Sequence, residues 1–246
     1  MNYKTIFLSS LLFVFAFSNS VAQNRVKNYI GISAGLSSPL GAFSKTDLGQ
    51  FGNWNNKSGF AKQGFNIGLE RVYYFLPKIG IGGVVNFSDH GRLTGTDAKR
   101  IGDSYTDAFA VDYTTVYTSK RYQNFSVLIG PYFSLPFSKI TLDIRAMAGL
   151  MKSISTPEIS VQMEDDPTNV FTQKSSTASA LGTQLGIGFR YKLTNKFSLS
   201  FREDFFHSGG LKITNENRSN NAGRLVIKQE MSWINTSFGI VYNMIK

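Results

Sequence analysis

The sequence predicts an all-β chain, an eight-stranded antiparallel up-and-down transmembrane β-barrel, and three observations carry that prediction. The first is alternation. From Phe125 to Phe133 the odd positions are nonpolar throughout, and after a break at Leu135 to Ser138 the pattern restarts. Ile140, Leu142, Ile144, Ala146, Ala148 and Leu150 then share one face, against Thr141, Asp143, Arg145, Met147 and Gly149 on the other. A period of two is a strand. An unbroken apolar face backed by one that holds an Asp, an Arg and a Gly has the polarity of a barrel in lipid, apolar outside and polar inside. The second observation is the rhythm of the connections. Short turns at Leu76 to Lys78, Pro136 to Ser138 and Thr194 to Asn195 alternate with long polar loops. The third is the placing of glycine: Gly31, Gly35, Gly68, Gly82, Gly186 and Gly239 all fall on polar faces. An eight-stranded barrel has an interior just wide enough to be filled by side chains, so small inward residues are needed beside large ones. A lipocalin-like soluble barrel would show the reverse pattern, greasy inside and polar outside.

Ahead of the first strand stands an export leader. A single cation, Lys4, precedes a mostly apolar run from Ile6 to Phe17 and a Ser20-x-Ala22 ending, so residues 1–22 read as a signal peptide and 23–246 as the barrel domain. The alternative, a membrane anchor, needs roughly 20 apolar residues. Beyond this segment no window approaches a spanning helix, and the chain crosses a membrane as a barrel or not at all. The absence of cysteine excludes a disulfide-stapled secreted domain and any Cys-ligated metal. The net charge of +10 is scattered over strand ends and loops, not gathered on a basic helix. Together with export, that argues against nucleic acid. The partners expected are outer-membrane lipid and lipopolysaccharide phosphate, next to the plainer reading of a solvated basic surface. The sequence names no protein partner.

In chain order, the first strand runs from Tyr29 to Leu36 and a polar loop extends to about Gly59. The second strand, Phe60 to Phe75, has its apolar face broken by Arg71, and the third begins at Ile79. The connection from Ser88 to about Lys120 is rich in charge and threonine, and within it Phe109 to Tyr117 read as strand continued beyond the membrane. Strands four and five form the hairpin described above. A loop from Ser153 to Ser176 carries the acidic run Glu164-Asp165-Asp166. Strand six is Leu181 to Lys192. Strand seven starts at Phe197 and has its apolar face broken by Glu203. After a loop from Ser208 to about Arg224, the last strand alternates from Ile234 to Met244. An even strand count puts both termini on the short-turn side, expected to be periplasmic, with the long loops extracellular. Aromatics crowd both strand ends, Tyr73, Tyr74, Tyr132 and Phe189 at one and Tyr122, Phe125, Phe206 and Trp233 at the other, and read as two interfacial girdles.

The stretch Ser237-Phe238-Gly239-Ile240-Val241-Tyr242-Asn243-Met244 resembles a barrel-assembly signal, with a polar residue, a Gly two later and spaced hydrophobes. With the strand pattern, the chain resembles the small eight-stranded outer-membrane proteins of the OmpA, OmpX and OmpW type and the broad outer-membrane β-barrel domain family. The resemblance implies a place in the cell outer membrane.

Catalytic motifs are mostly missing. There is no His-Glu-x-x-His, no Gly-x-Ser-x-Gly and no phosphate loop. His207 beside Ser208 lies where lipid A deacylases of this barrel class place a His and a Ser two apart, but here the two are adjacent. His90 beside Asp89 lacks further metal ligands, and Glu164 to Asp166 read either as a solvated loop or as a divalent-cation bridge to lipopolysaccharide phosphate. No catalytic, cofactor or metal residue is assigned, and no cofactor is expected. The inward charges are more informative. Counted from the short turns, Glu70, Asp143, Arg145, Arg190, Arg202 and Asp204 lie roughly four to eight residues deep, three acids and three bases expected to meet at one level and close the lumen. The function expected is that of a non-enzymatic barrel acting through its surface loops or in envelope integrity. A narrow channel for small or apolar solutes and a lipid-modifying enzyme are the alternatives.

Overall fold

The computed structural model describes residues 27–47, 58–166, 168–217 and 224–244. The expected leader, the loop around Asn55 and Pro167 lie outside them. Eight strands close a ring: β1 (Asn28–Leu40), β2 (Gly64–Tyr74), β3 (Ile79–Asp89), β5 (Gln123–Phe137), β6 (Ile140–Ser155), β9 (Ser179–Lys192), β10 (Phe197–Asn217) and β11 (Arg224–Met244). Each is antiparallel to the next, and β11 returns to pair with β1. Followed from strand to strand, the register runs from Ile30 to Arg71, Gly83, Ile129 and Ala148, then to Thr183, His207 and Ser232, and back to β1 at Leu40. The ring therefore closes with a stagger of ten residues, Ile30 to Leu40, which tilts the strands by about 40° and leaves an interior that side chains fill.

Polarity is inverted relative to a soluble fold. Leu181 is 73% and Phe238 67% exposed, whereas Glu70 is 3% and Asp204 4%. Such a wall is stable only with its apolar side in hydrocarbon. Its two outward charges differ. Arg71 lies three residues from the short-turn end of β2. Glu203 forms the central pair of the β9–β10 ladder, between Ser198↔Lys192 and Ser208↔Gly182, and accepts a hydrogen bond from Thr236 Oγ1 at 2.9 Å. Neither position is a bulge: the ladder of β10 shifts only between Ser208 and Leu211, where Gly210 takes a positive φ of 117°.

Beyond the ring, the long-loop end carries an ordered crown where the sequence reads mostly as loop. Strands β4 (Thr114–Ser119), β7 (Glu158–Met163) and β8 (Val170–Gln173) continue the sheet from the tall β10–β11 hairpin in the order β10-β8-β7-β4. Helix α1 (Gly95–Phe109) packs on that sheet through Ile101 and Tyr105, against Val116, Val161, Ile159 and Phe171. The expected strand from Phe109 to Tyr117 is thus corrected to a helix end, a left-handed Ala110 and a strand that begins at Thr114. The Thr94 and Asp97 side chains close a reciprocal capping box, and this decides the helix start.

Candidate functional site

Because successive side chains in a strand alternate sides, every second residue of the eight strands enters the lumen. The inward charges do not meet at one level, as expected, but in two layers, each neutral by itself. Nearest the short turns, Arg190 Nε donates to Asp143 Oδ2 at 2.5 Å and Arg190 Nη2 to Asp143 Oδ1 at 2.9 Å. Ser134 Oγ donates to the same carboxylate at 2.5 Å, Arg190 also reaches Tyr74 Oη at 3.0 Å, and its guanidinium lies 4.4 Å from the Tyr29 ring centroid. Above this layer, Arg145 bridges two acids. Its Nε donates to Asp204 Oδ1 and its Nη1 to Glu70 Oε2, both at 2.8 Å, while Arg202 Nη2 donates to the other oxygen of Glu70. Strand tilt separates the layers: Asp143 and Arg145 are neighbours on one face of β6, yet they pair with β9 and with β2 and β10 respectively.

Small residues make this packing fit. Gly186 stands where Asp204 and Arg145 cross, and Gly31 faces Glu70. Among these side chains remains a cavity of about 20 Å³ lined by Glu70, Arg145, Arg202 and Asn235, room for about one water. Arg202 Nε and Asn235 Oδ1 have no protein partner.

At the long-loop end an aromatic plug closes the ring. A 3₁₀ turn at Gly41–Phe43, entered through Gly41 with φ 58°, folds Phe43 over the mouth. Phe43 packs edge-on against His90 and Tyr122, with centroids 5.1 and 5.0 Å apart, and Trp233 stacks on Phe206 at 4.1 Å. His90 Nε2 bonds Ser37 Oγ at 2.8 Å. Burial pushes the His90 imidazole down to about 3, partly opposed by Asp89, so it is neutral near pH 7.

A model of the outer membrane protein beta-barrel domain matches residues 7–222. The chain belongs to this family. It is therefore an outer-membrane barrel, and solved structures of such barrels resemble it. Neisserial surface protein A is 10% identical, with 89% of this chain and 97% of that chain covered and a TM-score of 0.47. A major outer membrane protein from Thermus thermophilus is 14% identical over 87% and 98%, also at 0.47. OprG from Pseudomonas aeruginosa is 10% identical over 92% and 100%, at 0.44. No curated protein matches.

Within this outer-membrane barrel, several aromatics expected in the girdles face inward. Tyr132 and Tyr74 belong to the lower lumen layer, and Tyr122, Phe206 and Trp233 form the plug. Their parity along the strands already puts them on the inward side. Tyr73, Phe75, Phe137, Phe189, Tyr191, Phe197 and Tyr242 remain outside. His207 and Ser208 point to opposite sides of β10. His207 Nδ1 instead bonds Ser232 Oγ at 2.9 Å, and among the described residues no carboxylate bonds the ring. Among the described residues no three His, Cys, Asp or Glu side chains gather as a metal site.

Proposed function

We propose that this protein is a closed, non-enzymatic outer-membrane barrel whose short turns face the periplasm and whose working surface is the folded crown outside the cell. The reading rests on the lumen. Two neutral ionic layers, a space for about one water and an aromatic plug occupy the lumen among the described residues, which favours a closed barrel, whereas the helix-on-sheet crown is a structured surface that a mere connecting loop does not need. The test is conductance in planar bilayers. Wild-type protein is expected to give no steady current, and a large, steady one overturns the closed lumen in favour of a narrow channel. The non-enzymatic part is tested by mass spectrometry of lipid A from cells with and without His207→Ala. Identical profiles are expected.

A further inference from the structure

Glu203 is a carboxyl on the lipid-facing wall, far from either mouth. It alternates along β10 with the inward, buried Arg202 and Asp204 and shares its face with Leu199, Phe201 and Phe205. Across the ladders it stands opposite Ile187 on β9 and Thr236 on β11, and the Thr236 hydroxyl donates to its Oε1 at 2.9 Å. Among the described residues no base pairs with it. Arg71, near the short turns, is long enough to reach the interface by snorkelling. Glu203 is not. Five residue pairs separate it from each end of the β9–β10 ladder, about 13 Å along the barrel axis for strands tilted as these are, and its side chain holds only two methylenes. An ionisable group fixed at that depth is costly in lipid and calls for a partner.

The wall on the two sides of Glu203 differs in shape. Toward β9 and β6 it is hollowed by a groove of about 730 Å³, whose lining includes Ala146, Leu185, Ile187 and Phe205 as well as Glu203 itself. Toward β11 it protrudes: Phe238, packed on Phe201 at 4.9 Å, is 67% exposed. Copies of a barrel inserted the same way in one membrane are related most simply by a two-fold axis along the membrane normal, which keeps every residue at the depth of its copy. With that axis at Glu203, the rotation exchanges the two sides. The β11 side of one copy then faces the β9 side of the other, so Phe238 meets the groove beside Ile187. Glu203 meets Glu203. Two carboxyls so placed can each donate one O–H bond and accept one, which supplies in the interface the partners that hydrocarbon lacks.

We propose that the β9–β11 face of the barrel wall binds the same face of a second copy of this chain, with Glu203 at the two-fold axis. The chain has no cysteine, so a single introduced one reports on one position. Phe205→Cys, two residues from Glu203 on the same face, is expected to give a covalent dimer when outer membranes holding the full-length protein are oxidised. Val85→Cys, on β3 and opposite β10 in the ring, is expected to stay monomeric. In lipid vesicles, energy transfer between labelled copies should rise with protein density to the level of a dimer. Glu203→Leu is expected to weaken that association about tenfold, whereas Glu203→Gln, which keeps a donor and an acceptor, retains it. Leucine is a residue the wall already carries at Leu185 and Leu199. Phe238→Ala removes the protruding ring without touching the carboxyl and should weaken association independently. A protein that is monomeric at every density overturns the proposal. So does association that either Glu203→Leu or Phe238→Ala leaves unchanged, equal losses in Glu203→Leu and Glu203→Gln, or a Val85→Cys dimer in place of the Phe205→Cys one. Arg71→Leu weakening association as much as Glu203→Leu would replace the two-fold contact by a head-to-tail one. A Phe205→Cys adduct with a different protein would assign the face to a foreign partner instead.

Discussion

A Cβ on Gly186 would fall 1.9 Å from Asp204 Oδ1 and 2.8 Å from Arg145 Nε. Even a methyl group there must push apart the carboxylate and guanidinium that hold the central layer together. Gly186→Ala is therefore expected to destabilise the barrel by about 1–3 kcal/mol, read by urea unfolding in detergent or lipid. The ionic layer itself makes a sharper test. Glu70 accepts from both Arg145 and Arg202, so Arg202→Ala leaves a buried acid with one partner fewer, a loss of about 3–5 kcal/mol where the pair is well desolvated. The double change Glu70→Ala with Arg202→Ala should cost less than the two single changes added, by about 0.5–3 kcal/mol. Strict additivity would mean that the two side chains do not interact. The inwardness of these residues follows directly from period two. Their division into two layers does not, because it depends on the stagger of the ring, and that becomes known only once each strand is paired with its neighbours.

At the scale of elements, the barrel strands were legible and the crown was not, for a physical reason. A strand in lipid has an unbroken apolar face, a strong signal. The crown is half-exposed, and α1 buries only a narrow stripe. The signal was nonetheless present: Thr94-x-x-Asp97 is a capping pattern, and Ile101, Tyr105 and Phe109 recur every four residues. Burial alone would raise the Asp97 carboxyl, but bonds from Lys62 and Thr94 outweigh this and hold it below its usual value. Thr94→Ala should cost about 1 kcal/mol, appearing as faster amide exchange in α1 while the ring is unaffected. The plug should respond to acid. His90 titrates near 3 in the fold and near 6.5 when unfolded. The unfolded chain thus takes up the proton first, and the stability that depends on neutral His90 is full above about pH 6.5 and lost as pH falls from there toward 3. Trp233, 4.8 Å from the imidazole centroid, reports the change by fluorescence, and His90→Gln should flatten that part of the pH dependence.

For the whole molecule, crown and ring are joined mainly through the tall β10–β11 hairpin, and the ring's ladder does not run through α1 or β4. His90 N donates to Tyr122 O and Tyr122 N to Gly91 O, both at 2.9 Å, so the chain leaving β3 and the chain entering β5 are already side by side at the rim. The segment between them can therefore be shortened without separating the strands, since a long loop adds only slowly to closure entropy. Replacing residues 94–118 by a short Gly-Ser linker removes α1 and nearly all of β4 and exposes the apolar face of β7 and β8. It leaves every strand pair of the ring in place. The shortened protein is expected to insert, to resist SDS unless heated and to unfold with an unchanged barrel transition, while losing whatever binding the crown provides. Failure to form the heat-modifiable barrel would mean that ring and crown fold as a single cooperative unit, and would remove the crown as a surface that varies independently of its support.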